Sequence, residues 1–217
     1  MSETAMRDGA STVADYETFV EGRRDDELFE LIRGRIVMMT NPSEDHGQIT
    51  ANLFAPLKAA MDAAGCRVYV GGMRVQRSED RDGDMAAIPD IVVRCGPRRD
   101  RNFVTDPLVV VEVLSPSTMH LDRGAKFEFY RSLPTLRHIV FVDQWQVRVE
   151  HVRRVGEGWA PIELVRTTDR LDLDGVDVST ASTSTSRPFA PSTTRRVTED
   201  RHASRDAAGR RDRKGPS

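Results

Sequence analysis

PLVVVEVLSPST, residues 107–118, is the most apolar run in the chain, and a glutamate sits in its middle. Six of the seven residues from Leu108 to Leu114 are Leu or Val; the seventh is Glu112. Val109, Val111 and Val113 alternate with Val110, Glu112 and Leu114, so both faces of the expected strand are largely apolar. The alternative is that Glu112 points to a solvent-exposed face with Val109, Val111 and Val113 inward; Val110 and Leu114 would then be apolar residues on that outer face. A buried, unpaired carboxylate is costly.

A second acidic residue in a comparable setting is Asp90, within IPDIVVR (88–94). Between the two runs lies CGPRRDRNFVTDP (95–107), rich in turn residues. An antiparallel pairing centred on Arg101 sets Asp90 opposite Glu112, with Cβ atoms roughly 4.5–5.5 Å apart. A one-residue slip would send them to opposite faces. Like charges at that spacing on a buried surface repel, and both lose hydration. A shared proton with a raised pKa relieves this. So does a divalent cation between the oxygens, and Mg²⁺ typically binds through one or two carboxylates with water and substrate phosphate. Such an ion activates water and offsets charge developing on a phosphodiester.

The rest of the chain gives these strands a context. With 217 residues it is long enough for one domain with a real core. Residues 179–217 carry nine Lys/Arg and four Asp/Glu, and ten of the sixteen residues from Ser179 to Thr194 are Ser or Thr. That composition predicts a disordered tail, and residues 1–14 read as a flexible start. Residues 1–178 hold 23 basic and 30 acidic side chains, which argues against a non-specific nucleic-acid binder. Cys66 and Cys95 show no metal-ligand spacing and no redox-pair spacing, so a reducing cytoplasm is the expectation. MSETAMRDGA has no apolar leader segment, and no stretch reaches the length of a membrane span.

LFELI and RIVMM read as two strands around a Gly turn, and Ser43 as the N-cap of a helix over 44–64. Strands are expected at 67–70, 73–76, 88–94, 107–114, 136–143, 145–154 and 159–167, with a second helix from about Ser117. The sum is an α+β or mixed α/β layered domain over residues 15–178.

FELIRGRIVMM, NPSEDHGQITANL, IPDIVV, PLVVVEVLSPST and the following D-x-x-x-K resemble the Uma-two family of restriction-endonuclease-like proteins. The resemblance implies a PD-(D/E)XK nuclease-like fold with a central mixed sheet, Mg²⁺ as cofactor with Mn²⁺ as a substitute, DNA as partner, and room for a homodimer. It makes Asp90 and Glu112 metal ligands, adds the backbone carbonyl of Val113, and gives Lys126 a water-orienting or charge-stabilising role with Glu30 auxiliary. Leu114 stands where the superfamily motif has lysine, so Lys126 would have to reach back from the following helix. That departure keeps a rival open: a catalytically inactive nuclease-like scaffold that binds nucleic acid or another partner. His46 reads as a helix-capping or core residue. The arginines at 94, 98, 99 and 101 read as a solvated loop or as phosphate contacts.

Overall fold

The computed structural model describes residues 10–24, 26–174 and 176–179. Thr12 caps α1 (Val13–Glu21) through reciprocal bonds with Asp15. β1 (Phe29–Ile32) and β2 (Arg35–Met38) form the expected hairpin, turning through Arg33 and Gly34, both at positive φ (49° and 72°). A side chain at Gly34 would lie 2.9 Å from the Ala10 backbone, so only glycine closes this turn without displacement. α2 (Glu44–Ala63) starts at the anticipated cap: the Ser43 hydroxyl accepts the His46 N–H at 3.2 Å. Its buried stripe is Ile49, Leu53, Leu57 and Met61.

β3 (Cys66–Val70), β4 (Arg74–Gln76), β5 (Ala86–Ala87), β6 (Ile91–Cys95), β7 (Phe103–Val104) and β8 (Val109–Leu114) follow. The second helical segment is broken in character. α3 (Met119–Leu121) widens into a π-helical turn (Asp122–Lys126) and closes again as α4 (Phe127–Arg131). β9 (His138–Asp143), β10 (Val149–Val155) and β11 (Gly158–Leu164) complete the main sheet, and β12 (Arg170–Leu173) pairs with β13 (Val176–Ser179). The tail expected to be disordered, 179–217, lies outside the described residues except Ser179, which ends β13; of the start expected to be flexible, 1–14, residues 1–9 lie outside, while Thr12 to Ala14 form the capped beginning of α1.

The fold is mixed α+β. A six-stranded mixed sheet runs β11-β10-β9-β8-β6-β3, with β8 and β9 parallel. One face takes the stripe of α2 against Val109, Val111 and Val113. The other takes Phe129, Tyr130 and Leu133 against Val110 and Leu114. All six residues of β8 are buried, as its two apolar faces require. A second mixed sheet, β2-β1-β5-β4-β7, was not anticipated. It packs Ile32, Val75 and Ala87 into the same core as α4, while α1 covers Phe29, Leu31 and Ile36. Two of its strands, β5 and β7, are two residues long and carry no readable period.

The pairing of β6 with β8 has the register inferred from the loop: Ile91 faces Val111, Val92 faces Val110 and Val93 faces Val109. Cys66 and Cys95 stand opposite each other on β3 and β6, with Cα atoms 4.1 Å apart, and form a disulfide. This corrects the expectation that they form no pair. The two residues are 29 apart in the chain, and only strand register brings them together. The arginine loop is engaged within the protein: Arg94 makes two bonds to Asp106 (2.9 and 2.8 Å), and Arg101 pairs with Glu79 at 2.7 Å.

Away from the nuclease-like motif, His138 and His151 are buried side by side, Nδ1 of the first 2.9 Å from Nε2 of the second. The far nitrogen of His138 faces Asp174 at 3.3 Å. Burial drives both rings below the ordinary histidine range, and His138 and Arg153 help push His151 to about 4. The unfolded chain takes up this proton near pH 6.5, whereas the folded ring resists until about pH 4. Stability is therefore complete above pH 6.5 and declines as the pH falls toward 4, by about 3 kcal/mol in all. Urea unfolding at pH 7 and pH 5 should show the decline, and His151→Gln should flatten it. An unchanged slope in that variant would assign the acid sensitivity to other groups.

Candidate metal centre

Glu112 is 3% exposed on the sheet face that carries α4. Two donors converge on its Oε1: the Tyr130 hydroxyl at 2.5 Å and the Lys126 ammonium at 2.8 Å. Lys126 also meets Glu30 Oε1 at 3.0 Å and Asp122 Oδ1 at 3.1 Å. An ammonium has three hydrogens, and three carboxylates take them. Glu30 is fixed from its other side by the Ile88 N–H at 2.7 Å. Asp122, Lys126 and Tyr130 are spaced by four along the second helical segment, one stripe aimed at β8. The π-helical turn holds the first two, a placement common at functional sites.

Asp90 lies one position before the start of β6, where the ladder with β8 stops. Its Oδ2 accepts the Val113 N–H at 2.7 Å and meets His46 Nε2 at 3.2 Å. The carboxylate thus continues the pairing where the backbone of β6 has turned away. His46 arrives from the first turn of α2, so the residue read as a cap or core histidine is an ion-pair partner of Asp90. Burial works against a charged imidazole here, but the bond to Asp90, its charge and a bond to the Val113 backbone outweigh it. His46 is held above the usual histidine range.

Both halves open onto one cavity of about 410 Å³, lined by Glu30, His46, Asp90, Glu112, Asp122 and Lys126 among others. Burial raises the Glu112 carboxyl well above its ordinary range, Lys126 opposes this, and Asp122, Asp90 and Glu30 add to it. Burial likewise disfavours the charged Lys126, yet Glu112 and Glu30 reverse this and hold it well above its usual value. Lys126 is therefore a cation, and the acidic groups around it outnumber the positive ones. A further proton or a cation in the cavity relieves the excess.

The ligand set fits Mg²⁺ better than an ion that needs an all-protein cage. Among the described residues no three His, Cys, Asp or Glu side chains are arranged to hold a metal, whereas Mg²⁺ needs only one or two carboxylates with water. Asp90, Glu112, Lys126, Glu30 and Val113, each singled out from the sequence, all line this cavity. His46, Asp122 and a tyrosine near Lys126 belong to the same resemblance, but their parts here, His46 on Asp90, Tyr130 on Glu112 and Asp122 buried on Lys126, were not read from the sequence. The stripe at 122, 126 and 130 was the available signal.

Tyr130→Phe tests the clamp on Glu112. Losing a buried bond to a charged acceptor should cost about 1.5–3 kcal/mol in urea unfolding, and divalent affinity should fall about 10–100-fold. Unchanged values in both measurements would show that the Tyr130 bond does not position Glu112.

The Uma2 family, described as "putative restriction endonuclease", matches residues 13–183. Two Synechocystis proteins are similar: slr1290 is 31% identical over 160 residues (73% of this chain, 83% of that protein), and sll1609 is 33% identical over 152 residues (68% and 84%). The crystal structure of a putative nuclease belonging to DUF820 from Anabaena variabilis superposes with a TM-score of 0.63 at 16% identity, covering 79% of this chain and 96% of that one. Among the described residues no helix is long and apolar enough to cross a membrane. A nuclease-like fold, the PD element leading into β6 beside the EVLSPST element that ends β8, and a family match spanning both make the chain a member of the Uma2 family of restriction-endonuclease-like proteins.

Proposed function

We propose that this protein hydrolyses phosphodiester bonds in DNA with Mg²⁺ as cofactor and Mn²⁺ as a working substitute. The observation that carries this reading is the convergence of Asp90 and Glu112 on one cavity with a buried excess of negative charge. Asp90, Glu112 and the Val113 carbonyl would hold the ion. Bound there, it would lower the pKa of a water nucleophile and offset charge growing on the phosphate.

The chain's own groups have separable tasks. Tyr130 and Lys126 pin one oxygen of Glu112 and leave the carboxylate facing the cavity. Lys126 keeps three carboxylates compatible with burial, and it reaches an incoming water or phosphate oxygen only when one of them releases it. His46 holds Asp90 in place, and Glu30 steadies Lys126 from β1. A cytoplasmic setting belongs to the same proposal; the Cys66–Cys95 pair would there be kept as thiols. Assembly as a homodimer is part of it as well.

The inactive-scaffold reading has its own support, since Leu114 occupies the motif's lysine position and every hydrogen of Lys126 is taken. Calorimetric titration with Mg²⁺ and Mn²⁺ separates the two. The nuclease reading expects saturable binding in the native protein that disappears in Asp90→Asn and in Glu112→Gln. Absence of binding, or equal binding in the variants, would remove the metal site.

A further inference from the structure

From the walls of this cavity we infer that the substrate enters as an unpaired nucleotide, from a single strand or flipped out of a duplex. The inference rests on the nuclease reading and narrows its substrate. Three observations carry it.

The first is charge. Duplex-binding surfaces are markedly positive because they track phosphate rails. Here the lining includes Asp26, Glu30, Asp90, Glu112 and Asp122, while its cationic side chains are His46 and Lys126. Both are already paired inside the protein. Among the described residues, no arginine lines the cavity. A phosphate would find its positive partner at the metal position, and the walls offer no second one.

The second is the mouth. Leu28 and Met38 line the cavity and are 41% and 42% exposed. Three further exposed apolar side chains, Val70, Met119 and Trp145, directly adjoin the lining residues Gly71, Thr118 and Gln144 in the chain. Leu28 and Met38, large apolar groups left in water in the lining of a charged centre, suit the flat face of a base. Trp145 is aromatic and offers the stacking platform by which unpaired strands are held without dependence on sequence, and the aliphatic groups offer apolar contact to a base.

The third is size. A volume of about 410 Å³ lies at the lower end of pockets that enclose one small molecule, roughly 300–1,000 Å³. That volume is on the scale of one nucleotide, and a base within a double helix reaches such a pocket only after leaving the stack.

The test uses the full chain with Ca²⁺ in place of Mg²⁺. Anisotropy titrations compare a labelled single strand, its perfect duplex, and that duplex carrying two unpaired central bases. The single strand should bind about tenfold more tightly than the perfect duplex, the contribution of one stacked base. Tight binding of the interrupted duplex as well would assign base flipping; weak binding would assign a free strand. The double variant Leu28→Ala with Met38→Ala, which adds no charge, should abolish the preference while its thermal midpoint and calorimetric Mg²⁺ binding stay as in the native protein. Equal or tighter binding of the perfect duplex, or a preference that survives in the double variant, would overturn the inference. Metal binding that persists alongside a duplex preference sinks this inference alone. Loss of metal binding to Asp90 and Glu112 in the native protein sinks the nuclease reading and this inference together.

Discussion

Asp90→Ala and Glu112→Ala are each expected to lower Mg²⁺-dependent cleavage by about 10³-fold or more, roughly 4 kcal/mol of transition-state stabilisation. The two carboxylates sit on different strands and are held by different partners, yet they face one cavity. Removing either leaves the other on its own partner, Asp90 on His46 or Glu112 on Lys126, so the fold is retained while the site for the ion is lost. The variants should therefore fail in cleavage and in metal titration together. The pairing matters because each partner also has a structural task. Asp90 accepts the Val113 N–H and Glu112 accepts from Tyr130, so urea unfolding must accompany the assay. Full cleavage by either alanine variant would contradict the assignment.

Lys126→Met is expected to have the largest effect on stability, a loss of about 3–5 kcal/mol, because it strands three carboxylates that one ammonium now holds in ion pairs. These groups are almost wholly buried, so solvent cannot take over the task. The charge imbalance makes a second variant informative. Glu30→Gln in the Lys126→Met background removes one stranded charge and should restore part of the loss. Midpoints of urea unfolding for the two single variants and the double variant check this. A loss below about 1 kcal/mol in Lys126→Met would show that the carboxylates stay neutral without the lysine.

Much of this was legible in the chain. A strand with apolar residues on both faces and one carboxylate between them identified β8 and Glu112. The turn-rich loop centred on Arg101 fixed the register that brings Asp90 alongside. Ser43 and the stripe from Ile49 to Met61 placed α2 to the residue at its start. The remainder depended on contacts that no local period encodes. β5 and β7 are two-residue strands defined only by their neighbours, so the second sheet was invisible. The disulfide required the offset of β3 against β6. The direction of the His46 ring followed from the start of β6, which frees Asp90 to meet α2. Lys126 was found, but its surroundings were not: an i, i+4 pair with Asp122 reads the same on a surface as in a core, until a π-helical turn and the approach of Glu30 from β1 bury it.

The central claim is that Asp90 and Glu112 jointly hold a divalent ion. Anomalous scattering from a crystal grown with Mn²⁺ tests it most directly. A single peak within about 2.0–2.3 Å of an oxygen of each carboxylate is the predicted result. A Mn²⁺-saturated crystal with both carboxylates ordered and no peak between them would contradict it.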